Sequence, residues 1–428
     1  MEFGLLIAVL LLLILLNIPI ALALAGAGIF GLILAESPMP LLAASFSMWA
    51  STNSFSLAAV PLFIFLAHVL QNTKAFDMTI KSLDPWASLL PGRLLHTNII
   101  GSTLFAAITG SSSSSCVAIA TLTYKKLQDR GYNKALTIAT LAGPTTLGIL
   151  IPPSIILILY GVISEESISK LFVAGIIPGI LLCGLFTVYV VVASMFFVKQ
   201  VSNVTETYKW SDRIRSLPSL LPIISLISFI LGGIYLGWVI PTEAAAWGTM
   251  GALLIALFGG DLTLDMLSKS IRDTVTTSVM VLFIVMGASL LSMAFAQSGI
   301  ASDIVRICVS LELSKYMFLG LLVILYGCLG CLMEGLSMIV LTVPLLLPVV
   351  KAYGFDIIWF GIFVTILIEI GQFTPPVGLN LFILRGVTNE SILFVAKSSL
   401  PMIVLMLIGL LLVVLFPEMI LYLPGTMK

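Results

Sequence analysis

Apolar runs of membrane-crossing length constrain this chain more than any other feature. The N-terminal stretch MEFGLLIAVLLLLILLNIPIALALAGAGIF holds a single charge, Glu2, and similar runs recur to the C-terminus. A bilayer-spanning helix needs ~20 mostly apolar residues. Lipid offers the backbone no hydrogen-bond partner, so spanning segments are helices or closed barrels. Barrel strands alternate at period two, whereas these runs are continuously apolar, as helices are. Composition agrees: 60% of residues are hydrophobic, 9% are charged and the mean hydropathy is +1.19. Soluble domains carry about 25% charged residues. The chain is expected to be an all-α polytopic membrane protein. Ala21-Leu22-Ala23 imitates a signal-peptide cleavage site, but no Lys or Arg precedes the first run, so it reads as retained membrane helix. The zero net charge points to no nucleic-acid partner.

The chain repeats itself. Gly131-Tyr132 leads to Pro152-Pro153, and Gly354-Phe355 leads to Pro375-Pro376. The string ESI occurs at 166–168 and 390–392, and LFVA at 171–174 and 393–396. All four pairs share nearly the same offset, a little over half the chain. Self-similarity at one period marks a repeated unit. The division expected is a first repeat over 1–200, a polar cytoplasmic linker over 201–216 and a second repeat over 217–428.

Each repeat contains one unit too short for two crossings, 94–126 in the first and 317–350 in the second. Two full crossings need ~40 residues, so each unit reads as a re-entrant hairpin, the first turning at Gly110-Ser111. Irregular backbone at membrane depth is tolerated where it lines a cavity. Each repeat is then five transmembrane helices plus one hairpin, and the odd number inverts the second repeat relative to the first. With both termini outside, only Lys170, Arg306, Lys315, Lys351 and Lys428 of the 20 basic residues lie outside, and the other fifteen fall in cytoplasmic segments. That is the positive-inside bias. Residues 38–55 and 260–275 read as amphipathic interfacial arms lying against membrane lipids. Residues 72–93 read as a polar segment.

Inverted repeats with discontinuous helices are the architecture of secondary transporters, whose sites lie near the midplane. The first hairpin carries ITGSSSSSCVAIA (108–120). Hydroxyls at a buried turn can satisfy free backbone groups, ligate a hard cation or bind an anion. The competing reading, that they only complete the turn, does not require five serines. Pro-Pro interrupts the apolar segment 134–160 and its twin 357–384. Proline removes a backbone donor and breaks the helix, and the freed carbonyls near Gly148, Ile151 and Pro153, and near Gly371, Thr374 and Val377, are natural Na+ ligands. Half-helix N-termini favour an anion. Ser113, Ser114, Ser115, Thr145, Thr146 and Asn380 are the candidate substrate contacts. Intramembrane carboxylates are functional candidates: Glu334 at the second tip and Glu369 before the second break are candidates for ion or proton coupling. Glu243 reads as a helix cap, and His68 and His96 as interfacial packing residues. Cys328-Leu-Gly-Cys331 lacks a second ligand pair, so it reads as packing rather than a metal or redox site.

The motifs FAAITGSSSSS, GYNKALTIAT, LGILIPPS, SISKLFVAGIIPG, IPTEAAAWG and FTPPVGLNLF together resemble the large membrane subunit of tripartite ATP-independent periplasmic (TRAP) transporters, across essentially the whole chain. That resemblance implies an elevator fold with scaffold and transport parts, located in the bacterial inner membrane. It implies Na+-driven import of an organic acid of the C4-dicarboxylate, sugar-acid or sialic-acid type, with no enzymatic activity and no organic cofactor. It also implies two partner chains, a small membrane subunit and a periplasmic substrate-binding protein. The family's cation sites carry over to the first tip, Thr109, Ser111 and Ser112, with Gly148, Ile151 and Pro153. The second set is Gly330 and Gly335 with Gly371, Thr374 and Val377. The serine run continuing to Ser115 departs from the family pattern and points to a more hydroxylated substrate. The alternatives are a stand-alone Na+/carboxylate symporter, an ion channel, and an intramembrane serine enzyme using His96.

Overall fold

The computed structural model describes residues 2–35, 39–197, 208–375 and 378–427. These residues form helices and no strand. The first half runs α1 (Glu2–Leu15), α2 (Ile20–Leu34), α3 (Pro40–Thr52), α4 (Ala59–Gln71), α5 (Lys74–Ala87), α6 (Leu95–Thr109), α7 (Ser112–Asp129), α8 (Lys134–Thr146), α9 (Ile155–Ser164) and α10 (Ile168–Val192). The second runs α11 (Trp210–Tyr235), α12 (Pro241–Phe258), α13 (Leu264–Gln297), α14 (Ile300–Ser310), α15 (Lys315–Gly330), α16 (Gly335–Ala352), α17 (Ile357–Phe373), α18 (Leu379–Thr388) and α19 (Ile392–Leu415), followed by α20 (Glu418–Gly425).

The spacing seen in the sequence reappears in the helix boundaries. Both α7 and α16 are 18 residues long, beginning at Ser112 and Gly335. Helices α8 and α17 begin at Lys134 and Ile357, and so stand at the same offset. The halves are nevertheless not separate bodies, because the closest helix pairings join them. Helix α13 lies along α2, α12 along α4, α11 along α5, α19 along α8, and α18 along α7.

Among the described residues, five helices, α10, α11, α13, α16 and α19, are long and apolar enough to cross a bilayer alone. Others are shorter apolar helices of 10–17 residues, among them α9, α17 and α18, which flank the interruptions. Such breaks survive in a membrane only where other protein satisfies the backbone, and α8, α9 and α17 are almost wholly buried.

Three segments differ from the sequence expectation. The stretch 72–93 is not merely polar: it contains α5, whose Phe76, Ile80 and Leu83 are buried while Lys81 stays exposed. The arm at 260–275 and the helix after it are one continuous α13 of 34 residues, about 51 Å at 1.5 Å per residue. Its counterpart in the first half is two helices, bent by 56° between α3 and α4. The bend falls at Asn53 and Ser54, which favour turns over helix interiors; α13 has no such interruption. Finally, α11 begins at Trp210, inside the stretch read as linker. Residues 201–207 lie outside the described residues. On α3, Leu41, Leu42, Phe46 and Trp49 all face outward, as an arm bathed in lipid requires.

Candidate functional site

The first hairpin turns at Gly110, whose φ of +58 is left-handed. A Cβ there would also stand 2.7 Å from the Pro153 carbonyl oxygen. Only glycine satisfies both demands. Ser111 then caps α7, its Oγ accepting the Ser114 N–H at 3.4 Å. Ser115 Oγ donates to the Ser111 carbonyl at 2.8 Å and lies 3.1 Å from Thr109 Oγ1. Thr109, Ser111 and Ser115 therefore build the turn. Ser113 and Ser114 are half-buried and line a cavity.

Ser112 reaches across the molecule. Its Oγ lies 3.1 Å from both carboxylate oxygens of Glu369 and 3.1 Å from the Thr146 carbonyl. Glu369 also accepts the Ile149 N–H at 3.3 Å. This carboxylate is 1% exposed, and among the described residues no Lys, Arg or His pairs with it. Burying an ionised carboxylate without a cation costs several kcal/mol, roughly. The tip seats on the first break through Gly148, where a Cβ would lie 2.8 Å from the Ser111 carbonyl.

The second tip repeats the seating with other chemistry. A Cβ on Gly330 would fall 2.3 Å from the Gly371 carbonyl carbon, and one on Gly371 would fall 2.6 Å from the Tyr326 carbonyl oxygen. Glu334 occupies the cap position of α16, where Ser111 stands on α7, and its half-buried side chain lines the cavity. Thr374 turns its hydroxyl back to the Ile370 carbonyl at 2.7 Å. Its own carbonyl accepts the Gly378 N–H at 3.2 Å. Val377 lies outside the described residues.

Both tips, α4, α9 and α13 enclose a cavity of about 250 Å³. Of the residues singled out in the sequence, Thr109, Ser111, Ser112, Ser113, Ser114, Glu334 and Gly335 line it. Ser115, Thr145, Thr146 and Asn380 are fully buried away from it. Thr145 Oγ1 and Thr146 Oγ1 each return a 2.6 Å hydrogen bond to their own helix, at Leu141 and Gly143. Ile151, whose N–H donates to the Leu147 carbonyl at 2.9 Å, lies behind the tip beside Gly179.

Four polar residues of the wall went unmarked as contacts: His68 and Gln71 on α4, Thr277 on α13, and Gln372 on α17. His68 is thus a cavity residue rather than a packing residue. Gln372 stands three residues after Glu369, inside the interrupted segment 357–384 and next to the FTPPVGLNLF motif, which is the signal that could have found it. Asn380 Nδ2 donates to Gln372 Oε1 at 3.2 Å, so Asn380 stands behind Gln372 and orients its amide. The Gln372 Nε2 end reaches Gly335, where any Cβ would come within 2.4 Å of it. The N-termini of α7, α9 and α16 all meet the cavity, and no Lys or Arg lines it among the described residues. Aligned N-termini carry a partial positive charge, so the site offers an anion dipoles and neutral donors.

Other readings find no support here. His96 Nε2 lies 2.7 Å from the Pro91 carbonyl, while Ser112 faces a carboxylate, so His96 and Ser112 do not pair. Cys331 Sγ donates to the Gly327 carbonyl, and the described residues hold no cluster of His, Cys, Asp and Glu suited to a metal. Glu243 accepts the Ile240 N–H at 3.1 Å and caps α12.

The profile of the DctM component of tripartite ATP-independent periplasmic transporters matches residues 7–419. The chain is 30% identical to the C4-dicarboxylate TRAP transporter large permease protein DctM of Rhodobacter capsulatus, over 99% of this chain and 98% of the relative. It is 31% identical to the sialic acid TRAP transporter large permease protein SiaM of Vibrio cholerae, over 92% and 91%. It is also 31% identical to the isethionate TRAP transporter permease protein DctMQ of Oleidesulfovibrio alaskensis, over 94% of this chain and 63% of that one. In fold it is similar to the YdaH transporter of Alcanivorax borkumensis, with a TM-score of 0.64 at 13% identity over 90% of this chain and 88% of that one. The helical membrane fold, the two hairpin tips around one cavity and these matches lead to one conclusion: the chain belongs to the DctM family, the large permease subunits of TRAP transporters, which are membrane transport proteins and not enzymes.

Proposed function

We propose that this subunit imports a hydroxylated organic acid across the bacterial inner membrane, driven by Na+. The observation that carries this reading is the pairing of an anion-favouring cavity with an unpaired buried carboxylate. The cavity has three helix N-termini and, among the described residues, no Lys or Arg, so it holds an anion only weakly by itself. Glu369 beside it is buried with no Lys, Arg or His partner among the described residues. A bound Na+ resolves both deficits, which couples cation and substrate binding. The donors near the tips are hydroxyls and backbone carbonyls, an oxygen set that suits a hard cation. The cation positions are Thr109, Ser111, Ser112, Gly148, Ile151 and Pro153 at one tip, and Gly330, Gly335, Gly371, Thr374 and Val377 at the other.

The relatives' named cargoes, C4-dicarboxylates, sialic acid and isethionate, are all organic anions. Ser113, Ser114 and Gln372 are the substrate contacts, and the neutral hydrogen-bonding wall favours a substrate with hydroxyls. The helices fall into two sets. Helices α1–α5 and α11–α14 form a scaffold; the hairpins α6–α7 and α15–α16, with α8–α10 and α17–α20, form an elevator that carries the cavity. The repeats lie inverted in the membrane with both termini periplasmic. A small membrane subunit braces the scaffold, and a periplasmic binding protein delivers the substrate.

The test is uptake into proteoliposomes holding this chain and its small subunit. Labelled succinate, gluconate and N-acetylneuraminate are offered under an inward Na+ gradient, with and without the binding protein. Uptake of one of them that requires both Na+ and the binding protein is the expected result. Uptake with Na+ alone identifies a stand-alone symporter, and K+ replacing Na+ without loss overturns the cation coupling.

A further inference from the structure

A second cavity, of about 400 Å³, lies on the same seam between the two helix sets. Ser47, Ser51, Ser54, Ser289 and Ser292 line it, and no charged residue does so among the described residues. Its wall repeats that of the first cavity. In the first, α4 presents Ile64, Ala67, His68 and Gln71. In the second, α13 presents Val285, Ala288, Ser289 and Ser292. Both sets are spaced i, i+3, i+4, i+7, which is one face of a helix. They correspond member by member at one constant offset, close to that of the sequence repeat. Ser54 in the second wall and Thr277 in the first are likewise separated by the repeat offset. The repeats have therefore built two matching polar walls, and the hairpin tips face only one of them.

Three helices touch both cavities and give the distance between them. Helix α9 lines the first with Ile155 and Ile156 and the second with Val162 and Ile163, about 11 Å further on at 1.5 Å per residue. Helix α16 passes from Gly335 and Leu336 to Pro344, about 13 Å. Helix α13 passes from Thr277 and Met280 to the Val285–Ser292 face, about 15 Å of rise and about a quarter turn. Ser51 and Ser289 hydroxyls donate to their own helices here, at Met48 and Met286, leaving their oxygens able to accept from a hydroxylated ligand.

We infer that the serine-lined cavity is the second station of the substrate on the scaffold. The tips carry the organic acid from the wall of His68, Gln71 and Thr277 to the wall of Ser47, Ser51, Ser289 and Ser292. The carried unit moves about 11–15 Å, turning as it goes. The first wall offers an imidazole and an amide; the second offers only hydroxyls, so it recognises the hydroxyl groups of the cargo. This inference rests on the elevator reading above.

The test uses the reconstituted complex with the five native cysteines replaced and Hg2+ as the bridging probe. Met280→Cys with Leu336→Cys joins residues of the first cavity; Ser289→Cys with Leu336→Cys joins the moving tip to the second wall. Both pairs are expected to bridge, and the first bridge is expected to stop uptake. If the first bridges and stops uptake while the second never bridges, the second station is wrong and the elevator reading survives. If the first bridges and uptake continues, the elevator reading itself fails. Ser289→Val with Ser292→Val is expected to raise the KM about fivefold for whichever of succinate, gluconate and N-acetylneuraminate the unaltered complex takes up. An unchanged KM, in a variant whose first-cavity bridge still forms, overturns the substrate contact.

Discussion

The two hairpin tips are built on one plan and carry different chemistry. Each seats a turn on a broken helix through glycine, Gly148 under Ser111 and Gly371 under Gly330. Each starts an 18-residue helix at the cavity. At the first tip the positions are Ser111 and Ser112; at the second they are Glu334 and Gly335. The hydroxyl of Ser112 reaches the buried carboxylate of the other repeat, Glu369. The hydrogen atom of Gly335 makes room for the amide of Gln372. The tips share a geometry, and different residues at corresponding positions let the first bind the carboxylate of Glu369 and the second make room for the amide of Gln372.

The sharpest way to break the comparison is to close the gap under each tip. Gly330→Ala puts a methyl 2.3 Å from the Gly371 backbone, and Gly148→Ala puts one 2.8 Å from the Ser111 backbone. Backbone cannot yield as a side-chain end can. Overpacking of this kind costs about 1–3 kcal/mol. Gly330→Ala is expected to abolish Na+-driven uptake and lower the melting temperature of the purified complex; Gly148→Ala is expected to do the same to a smaller degree. Equal effects would mean that the tips are seated equally tightly.

The two acids come next. Glu369→Gln keeps the shape and removes the charge, and is expected to reduce uptake about 100-fold, equivalent to about 2.8 kcal/mol, with a weaker dependence on Na+. Glu334 is half-buried and faces the cavity, so Glu334→Gln is expected to cost about tenfold. A Na+ titration of initial uptake rates separates them, and the reverse order would move the coupling charge to the second tip.

The amide pair is expected to act on affinity. Gln372→Leu removes the donor, and Asn380→Asp removes the hydrogen bond that turns the Gln372 donor toward the cavity. Each is expected to raise the KM for the organic acid about tenfold, as loss of one hydrogen bond to a charged group does, with little change in maximal rate. A fall in maximal rate at constant KM would assign the pair to movement instead. The smallest effect is expected at Lys134, whose ion pair with Glu390 is largely exposed. Lys134→Ala should leave uptake and melting temperature unchanged, since water and salt screen such pairs.

Local chemistry made much of this legible beforehand. A turn with Gly110 and a cap at Ser111 needs only neighbouring residues, and Pro152-Pro153 breaks its helix wherever it sits. The same holds for the Glu243 cap. Asn380 and Thr146 looked equally suited to the cavity, yet both point elsewhere, because helical facing is set by what packs against the helix. His68 looked like packing and lines the wall for the same reason. The polar stretch at 72–93 hid α5, whose apolar face appears only against α11 and α6.

By itself the sequence determined that the chain lives in a membrane as helices, that its two halves share a spacing, and where its backbone is interrupted. Those properties follow from hydropathy, spacing and proline, which act over a few residues. Only the tertiary structure decided that Ser112 meets Glu369, 257 residues away, that Gln372 rather than Asn380 reaches the cavity, and that serines of α3 and α13 line a second cavity. Those contacts join different repeats, and nothing in either segment alone states which face its neighbour will cover.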